Sequence, residues 1–408
     1  MMRVVFAWEL GAFLGHLERD LAVAQHLRQR GADVHFLVAD LRTAEKLLTP
    51  AGFPFLPSPA VRRPAGRRKS VINFSELLID GGYDDAETLR GLVRAWIAIW
   101  KLLSPDVIVT DFAPTATLSA RIAGIPNLPL GPGFTVPPAR DPMPAFREKD
   151  AKSDAALRAA DAKLLPALNQ VSESFGHAPF PSVSAVFANP AAQITSFEEL
   201  DPFSPRGDAQ YVGPITIQGR FPQVQWLGTR EARVFAYLQS SLVGLDVILT
   251  ALQHSAAEVL CVIPGVTDRI AMQYRSESFR ILAEPVDLGM LTRADVVVGY
   301  GSAGVVSTAL QAGAPLLLFP NYMEQQLNAE RAVRLGAAIA FRDPPVKDKA
   351  KAALRALLSQ PPYKNAARAF AEKYRNYRHE AAIEAVVDAI VREAQRPLTS
   401  YPEAGTVG

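Results

Sequence analysis

The amino-acid sequence predicts an α/β protein made of two doubly wound, Rossmann-like domains. The chain has 408 residues, which is long for one hydrophobic core and suits two. Short β-branched runs alternate with helical patterns in both halves, as in parallel sheets whose faces are covered by helices. A segment rich in proline and glycine, 202–222, separates the two series. We therefore expect the two domains to face each other across a cleft.

The first domain opens with a strand–helix–strand unit. Strands are predicted at 3–8 and 34–38. Between them, apolar residues recur at helical spacing over 17–27, and the predicted helix ends at Gly31. His16 lies at the start of this helix, just after the carboxyl end of the first strand. Ligands bind at that edge of an open α/β sheet, so His16 is a candidate site residue.

A second candidate, Asp111, follows a later strand of the same domain. A helix predicted over 85–103 leads into a strand over 107–110, and Asp111 stands at the carboxyl end of that strand. The carboxyl ends of parallel strands meet at one edge, so His16 and Asp111 are expected to converge. A carboxylate bound to one ring nitrogen of a histidine fixes its tautomer and supports its use as a base.

The remaining elements continue the alternation between strands and helices. In the first domain they are a helix ending at Gly124, a short strand after Pro126, a helix over 151–175 and a strand over 193–196, with irregular segments at 41–84 and 131–150. In the second domain the predicted strands are 234–238, 259–263, a short pair at 281–282, 296–298, 316–319 and 338–341. Helices there are predicted from the first of these strands to about 255, up to Gly313, over 348–358 and over 363–394.

These patterns set the predicted domain boundaries. They are 1–205 for the first domain, 206–222 for the linker, 223–375 for the second domain, 376–395 for a C-terminal helix and 396–408 for a tail.

Composition limits the classes of function. A formal net charge of +2 does not favour a nucleic-acid binder. The single cysteine, Cys261, lies in an apolar run and is expected to be a buried hydrophobe in a reducing compartment. The first apolar stretch contains Glu9 and is typical of a strand, so we expect no signal peptide and a cytoplasmic protein.

One basic segment, 62–69, stands out within the irregular stretch of the first domain. It contains four arginines and a lysine, interrupted by a proline and a glycine. A solvated loop is one interpretation. A contact with an anionic acceptor or with a membrane surface is the other.

A glycine-rich turn, GYGSAG at 299–304, follows the predicted strand at 296–298 and opens a helix. The N-terminus of a helix after such a turn presents free N–H groups and binds phosphate. The glycines at 299, 301 and 304 also fit the dinucleotide fingerprint, with Glu324 about twenty residues further on, but that pattern leaves His16 and Asp111 without a role. A hydrolase nucleophile elbow is disfavoured because it requires glycine where this chain has Tyr300.

Four segments together resemble one enzyme family. They are Gly15-His16 with Leu21-Ala22 and Arg30-Gly31; PDVIVTD at 105–111 followed by AGIP at 123–126; YVGP at 211–214; and the glycine turn with GAP at 313–315, Pro320, EQ at 324–325, NA at 328–329 and LG at 335–336. The chain resembles the inverting, sugar-nucleotide-dependent glycosyltransferases of the GT-B fold, in particular the bacterial natural-product and macrolide type. The resemblance implies two Rossmann-like domains, with a C-terminal helix that crosses back to the first.

The resemblance also implies roles for individual residues. His16 is the catalytic base and Asp111 its partner. Donor-binding residues by resemblance are Gln239 and Ser240 near the phosphates, Val286 at the nucleotide base, Tyr300, Gly301, Ser302, Ala303, Gly304 and Val305 around the diphosphate, and Glu324 and Gln325 at the sugar. The implied co-substrate is a UDP or dTDP sugar with no metal, and the implied partner is a hydroxyl-bearing small molecule or lipid.

The chain departs from the family pattern in the donor segment. Tyr300 replaces the usual histidine, Ser302 a glycine, Val305 a threonine and Thr308 a glutamate, while Glu324 stands in place of aspartate. Backbone N–H groups can still hold a diphosphate without those side chains. The alternative is a glycosyltransferase-like binding or auxiliary protein with a degenerate donor site.

Overall fold

The computed structural model describes residues 1–11, 14–61, 71–151, 153–207, 209–216, 221–343 and 347–396. The chain divides into two compact units. Unit 1 contains Met1–Glu198, Phe203–Thr216 and the chain from His379 onward, and unit 2 contains Glu199–Pro202 and Ile217–Arg378. The basic segment 62–69 lies outside the described residues.

Unit 1 is built on a parallel sheet of seven strands in the order β3-β2-β1-β4-β5-β6-β7. The strands are β1 (Arg3–Trp8), β2 (Asp33–Val38), β3 (Phe55–Pro57), β4 (Val107–Asp111), β5 (Asn127–Gly131), β6 (Gln193–Ile194) and β7 (Gln210–Tyr211). The strand order reverses direction between β1 and β4. Such a switch point leaves a crevice at the carboxyl ends of the two strands, where ligands bind.

The helices of unit 1 cover the two faces of this sheet. They are α1 (Gly15–Gln29), α2 (Leu41–Leu47), α3 (Phe74–Asp80), α4 (Ala86–Leu103), α5 (Pro114–Ile122), α6 (Asp154–Ser174), α7 (Val183–Phe187) and α14 (His379–Ala394). On one face, Trp96 and Trp100 of α4 stack at 4.9 Å in the core. Their indole N–H groups donate to Thr115 and Ser119 of α5, so both large side chains are buried with their polar atoms satisfied.

Unit 2 repeats the same topology with six parallel strands in the order β10-β9-β8-β11-β12-β13. Its strands are β8 (Arg233–Tyr237), β9 (Glu258–Val262), β10 (Phe279–Leu282), β11 (Val296–Gly299), β12 (Leu316–Leu318) and β13 (Ala338–Ala340). Its helices are α8 (Leu245–Gln253), α9 (Asp268–Tyr274), α10 (Ala303–Gln311), α11 (Met323–Arg334), α12 (Lys347–Ser359) and α13 (Pro361–Lys373). The switch point of this sheet lies between β8 and β11. Cys261 is buried in the core of β9, as predicted.

The C-terminal helix belongs to unit 1, in agreement with the resemblance. α14 packs against α1, and Arg30, which follows α1, binds Asp388 at 2.6 Å. His26 of α1 contacts Glu380 at 3.0 Å. The last helix of the chain is therefore joined to the first by packing and by ion pairs.

Several sequence-based expectations were wrong in detail. The predicted single helix over 363–394 is two helices, because a turn between Tyr374 and Tyr377 ends α13 and the Tyr374 hydroxyl donates to Glu199 at 2.5 Å. The range 206–222, predicted to be a linker, contains the strand β7, which pairs with β6 in the first sheet. The irregular stretch 41–84 contains α2, β3 and α3, and the helices α9 and α11 were not predicted at all. These elements are short or lack a long apolar repeat, so sequence periodicity gives little sign of them.

No helix among the described residues is long and apolar enough to cross a membrane.

Candidate active site

The two predicted catalytic residues meet at the switch point of unit 1. β1 and β4 are neighbours, with Trp8 opposite Asp111, and α1 begins one residue before His16. His16 Nδ1 lies 2.7 Å from Asp111 Oδ2, and both side chains are buried. An ionised carboxylate only accepts hydrogen bonds, so Nδ1 carries the proton and Nε2 is left as an acceptor. This is the tautomer that a general base needs.

Two neighbours fix the imidazole ring. The indole of Trp8 stacks on it at 5.2 Å with an angle of 17°. On the Nε2 side lies Gly11, which has φ +86°. A Cβ atom at Gly11 would stand 2.5 Å from Nε2, so only glycine leaves room for the ring in this position.

Charged groups beneath the ring hold Asp111 ionised. Burial, the largest single influence, raises the pKa of Asp111, but the charges of Arg19 and His16 and their hydrogen bonds outweigh it and leave the pKa below its usual value. Arg19 Nη2 forms an ion pair with the same oxygen, Oδ2, that binds His16. Burial and the charge of Asp111 raise the pKa of the neighbouring Asp20 well above normal.

A cavity with apolar walls lies next to this dyad. Phe112, which follows Asp111, has φ 45°, a strained conformation for a residue with a side chain. Its ring edge would stand 3.4 Å from a Cβ at Gly11, beside the imidazole. Phe112 also lines a small cavity of about 20 Å³ in unit 1, together with Phe74, Thr110, Ala113, Pro114, Thr117, Pro129, Thr135, Val136, Pro137 and Phe187. The Thr110 hydroxyl is buried there without a hydrogen-bond partner among the described residues.

The glycine turn of unit 2 lies at the switch point of the second sheet. It follows β11, whose neighbour β8 is followed by Gln239 and Ser240, so all these residues stand at one sheet edge. Gly301 has φ +87°, and a Cβ there would lie 2.7 Å from the carbonyl oxygen of Gln325. Asn328 of α11 donates to the Gly301 carbonyl at 3.0 Å. The turn is therefore held against the start of α11.

The first turn of α10 is available to an anion. Ser302 is its N-cap residue, and its side chain makes no capping hydrogen bond. The amides of Ala303, Gly304 and Val305 lie in the first turn, where backbone N–H groups have no acceptor within the helix. The role of these amides in binding phosphate stays a prediction.

The positions of the other predicted donor residues agree less well with the roles that the resemblance implies. The side-chain oxygen of Gln325 accepts from the backbone N–H groups of Asn321 and Tyr322, so it stabilises the turn and only its amide nitrogen remains for a sugar. Glu324 is half-buried at the start of α11. Tyr300 is 9% exposed, with its ring 6.1 Å from that of Tyr237. Val286 is buried in the segment after β10.

Sequence reasoning missed several residues around the dyad. Arg19 and Asp20 stand three and four residues after His16 and so lie on the same side of α1. In the sequence they form a charged run with Glu18, and this run gives no sign that Arg19 and Asp20 are buried. Gly11 and Phe112 gave no signal either, because their importance depends on backbone conformation.

Comparison with known proteins gives a consistent result. Residues 247–385 match a family model described as the C-terminal domain of proteins like erythromycin biosynthesis protein CIII. A PGL/p-HBAD biosynthesis glycosyltransferase of Mycobacterium tuberculosis is 26% identical over 391 residues, 91% of this chain and 88% of that protein. A PGL/p-HBAD biosynthesis rhamnosyltransferase of Mycobacterium bovis is 26% identical over 394 residues, with coverages of 91% and 84%. An inactive PGL/p-HBAD biosynthesis glycosyltransferase of Mycobacterium bovis is 32% identical over 142 residues, 35% of this chain and 36% of that protein.

Solved structures with the same fold are also glycosyltransferases. The calicheamicin glycosyltransferase CalG4 superposes with a TM-score of 0.75 at 17% identity, covering 97% of this chain and 98% of that one. The glycosyltransferase VinC in complex with dTDP has a TM-score of 0.68 at 19% identity, with coverages of 97% and 100%. The spinosyn rhamnosyltransferase SpnG complexed with spinosyn aglycone has a TM-score of 0.68 at 16% identity, with coverages of 94% and 99%.

The two parallel-sheet units and these structural neighbours define a protein of the GT-B fold. Together with the similarity in sequence along nearly the whole chain, they identify a glycosyltransferase. Within it, residues 247–385 are similar to the C-terminal domain of a family of macrolide-type glycosyltransferases.

Proposed function

We propose that the chain is an inverting glycosyltransferase that moves a hexose-type sugar from a nucleotide diphosphate sugar to a hydroxyl group of a small-molecule or lipid acceptor. The observation that carries this proposal is the 2.7 Å hydrogen bond between His16 Nδ1 and Asp111 Oδ2, which leaves Nε2 free to accept a proton. Both residues stand at the sheet edge where this fold binds ligands.

The proposed chemistry is a single displacement. The acceptor hydroxyl gives its proton to His16 Nε2 as its oxygen attacks the anomeric carbon, and the bond from that carbon to the diphosphate breaks. Asp111 stabilises the imidazolium that forms. The leaving diphosphate takes the electron pair, and the N–H groups at the start of α10 stabilise its charge. One displacement at the anomeric carbon inverts its configuration.

For the donor we propose a thymidine or uridine diphosphate sugar, bound without a metal. The complex of VinC with dTDP supports the thymidine form. The site supplies backbone N–H groups for the diphosphate, and a nest of this kind binds anions without a particular side chain.

For the acceptor we propose a largely apolar molecule that carries a hydroxyl group. The wall of the small cavity beside the dyad contains three phenylalanines and three prolines, so an acceptor that reaches the dyad from this side meets mainly apolar side chains. The Thr110 hydroxyl offers a polar anchor within it. The spinosyn aglycone bound by SpnG is an acceptor of this general kind. Contact with a membrane surface through 62–69 stays a prediction.

One alternative function has specific support. The side chains at 300, 302, 305 and 308 differ from the family pattern, and one matched relative is described as inactive. In this alternative the chain is a binding or auxiliary protein with a degenerate donor site.

A ligand-dependent thermal shift separates the two functions. A ligand that binds only the folded protein raises the melting temperature with its concentration. We expect a shift with dTDP or UDP and none with GDP. The shift should disappear in Gly301→Ala, because the new Cβ would meet the Gln325 carbonyl at 2.7 Å. It should persist in the control Gly265→Ala, since Gly265 has φ +71° and no described atom lies within 4 Å of where its Cβ would stand.

The catalytic role of His16 is tested once the thermal shift has established nucleotide binding. His16→Ala should keep the thermal shift and lose turnover by about 10²–10⁴-fold. Absence of a shift with every nucleotide would favour the degenerate-site alternative.

A further inference from the structure

A buried arginine shares the carboxylate of the dyad. Arg19 is only 5% exposed and lies one helical turn after His16 on α1. Its Nη2 forms an ion pair with Asp111 Oδ2, the oxygen that also accepts from His16 Nδ1. One oxygen atom thus faces a cation and an imidazole at the same time.

The position of this cation bears on the reaction. In an isolated His–Asp pair within a low-dielectric interior, a full negative charge favours the protonated imidazole. A base that is already protonated cannot accept the proton of an acceptor hydroxyl. A cation on the same carboxylate cancels part of that negative charge, which favours the neutral imidazole.

Asp20 completes the group. It is fully buried, and its Oδ1 lies 3.4 Å from Arg19 Nε. Burial, the largest cause, and the negative charge of Asp111 raise the pKa of Asp20 well above normal, although Arg19 opposes both. Arg19 also lies closer to Asp111 Oδ2 than to Asp20 Oδ1, so Asp111 is its nearer partner.

We propose that Arg19 is a positioning residue that sets the proton balance of the His16–Asp111 dyad, with Asp20 as its second partner. The proposal deepens the proposed function, on which its catalytic consequence rests. Arg19 keeps Asp111 ionised and in place, and by sharing Oδ2 it lets His16 release its proton more readily than an isolated pair would.

Other charged groups in this part of unit 1 are engaged elsewhere. Glu9, just after β1, accepts from Tyr83 and from Thr115. The acidic residues of α14 that face α1 pair with His26 and Arg30, ten and fourteen positions along the chain from His16. On the β1 side the imidazole faces the indole of Trp8, which is uncharged. Among the described residues, the groups that act on the dyad are therefore Arg19 and Asp20.

The first test needs no substrate. The full-length protein is labelled with ¹³C and ¹⁵N at histidine, and the His16 ring is titrated by NMR in the wild type and in Arg19→Met. We expect the variant to titrate about one pH unit or more above the wild type, since a cation within 4–6 Å has been removed. Arg19→Lys, which keeps the charge, should titrate close to the wild type. Arg30→Met removes another paired arginine near α1 and serves as the matched control, with no shift expected.

Asp20→Asn tests the second half of the proposal. Burial and the charge of Asp111 raise the pKa of Asp20 and so favour its neutral form, and we therefore expect a neutral amide to leave the His16 titration where it is. If Arg19→Met does not fold, the double variant Arg19→Met/Asp20→Asn removes the cation together with one buried acid and gives the same readout. An unchanged titration in the variants that lack the arginine charge, or a downward shift in Asp20→Asn, would overturn the proposal.

The second test measures turnover against pH. In Arg19→Met the acid limb of the kcat/KM profile should move to higher pH by the amount seen in the titration, with about tenfold loss on that limb for each pH unit. At high pH the two profiles should converge. A loss of equal size at every pH would instead mean a purely structural role. The His16 titration could shift in Arg19→Met while the wild type shows no turnover. That result would support the effect of Arg19 on the dyad and would count against the proposed function alone.

Discussion

A single methyl group at Gly11 is expected to disable the dyad while leaving the fold intact. Gly11 has φ +86°, and a Cβ placed there would stand 2.5 Å from His16 Nε2 and 3.1 Å from Cε1. Ordinary van der Waals contact begins at about 3.4 Å, so the ring must retreat by about 0.9 Å. Trp8 is stacked against the ring and Asp111 is bound to its Nδ1, so the ring has little freedom to do so.

The size of the effect follows from this displacement. A shift of about 1 Å in a catalytic group can cost about 10²-fold in rate. The new methyl group would also stand on the nitrogen that takes the proton. We therefore expect Gly11→Ala to lose at least about 10²-fold in turnover. The left-handed backbone conformation costs about 1–2 kcal/mol in addition, which lowers the melting temperature by a few degrees.

Gly31→Ala is the matched control for this experiment. Gly31 follows the other end of α1 with φ +84°, and no described atom lies within 4 Å of the place that its new methyl group would take. Its alanine variant should lose similar stability and keep its turnover. The assay is release of nucleoside diphosphate, with unfolding followed by circular dichroism. Equal activity in the two variants would refute the placement of His16 beside Gly11.

Three further predictions follow from the same geometry. Asp111→Asn keeps the shape of the side chain but removes its charge, so turnover should fall by about 10²–10⁴-fold while the nucleotide-dependent thermal shift stays; normal turnover would exclude the dyad. Burial, outweighing hydrogen bonds from Tyr83 and Thr115, raises the pKa of Glu9 from 4.5 to about 7, so its contribution to stability is complete below pH 4.5 and is lost as the pH rises through 7. The free energy of unfolding of Glu9→Gln and of the wild type is measured at pH 5 and at pH 8. From pH 5 to pH 8 the variant should become more stable relative to the wild type by up to about 3 kcal/mol. A difference that is the same at both pH values would contradict the raised pKa. Chelation with EDTA should leave turnover unchanged, and a loss restored by Mg²⁺ or Mn²⁺ would show that the reaction needs a metal.

The sequence was sufficient to predict both sheets and the edge of each where the candidate residues lie. Long apolar strands and the glycine turn at 299–304 have strong local signals, and the parallel order brings His16 to Asp111 as expected. The short strand β7 and the break between α13 and α14 depend on pairing and on Glu199, which no local pattern reveals.

The electrostatic setting of the site was beyond sequence reasoning. Whether Arg19 points to solvent or to Asp111 depends on the rotation of α1 about its axis, which a short mixed pattern does not determine. The clash at Gly11 and the strained Phe112 depend on backbone angles that become visible only once β1 and β4 lie side by side. Roles for the donor residues stay predictions. Gln325 was assigned to the sugar, but its side-chain oxygen already accepts from the backbone N–H groups of Asn321 and Tyr322.

The most direct test of the proposed function is the anomeric configuration of the product. A donor of known configuration is turned over with an apolar, hydroxyl-bearing acceptor, and the new glycosidic bond is assigned by ¹H NMR from the coupling at the anomeric proton. A single displacement assisted by His16 predicts a product of opposite configuration to the donor. A product with retained configuration would contradict it, because retention requires a different course of reaction at the anomeric carbon.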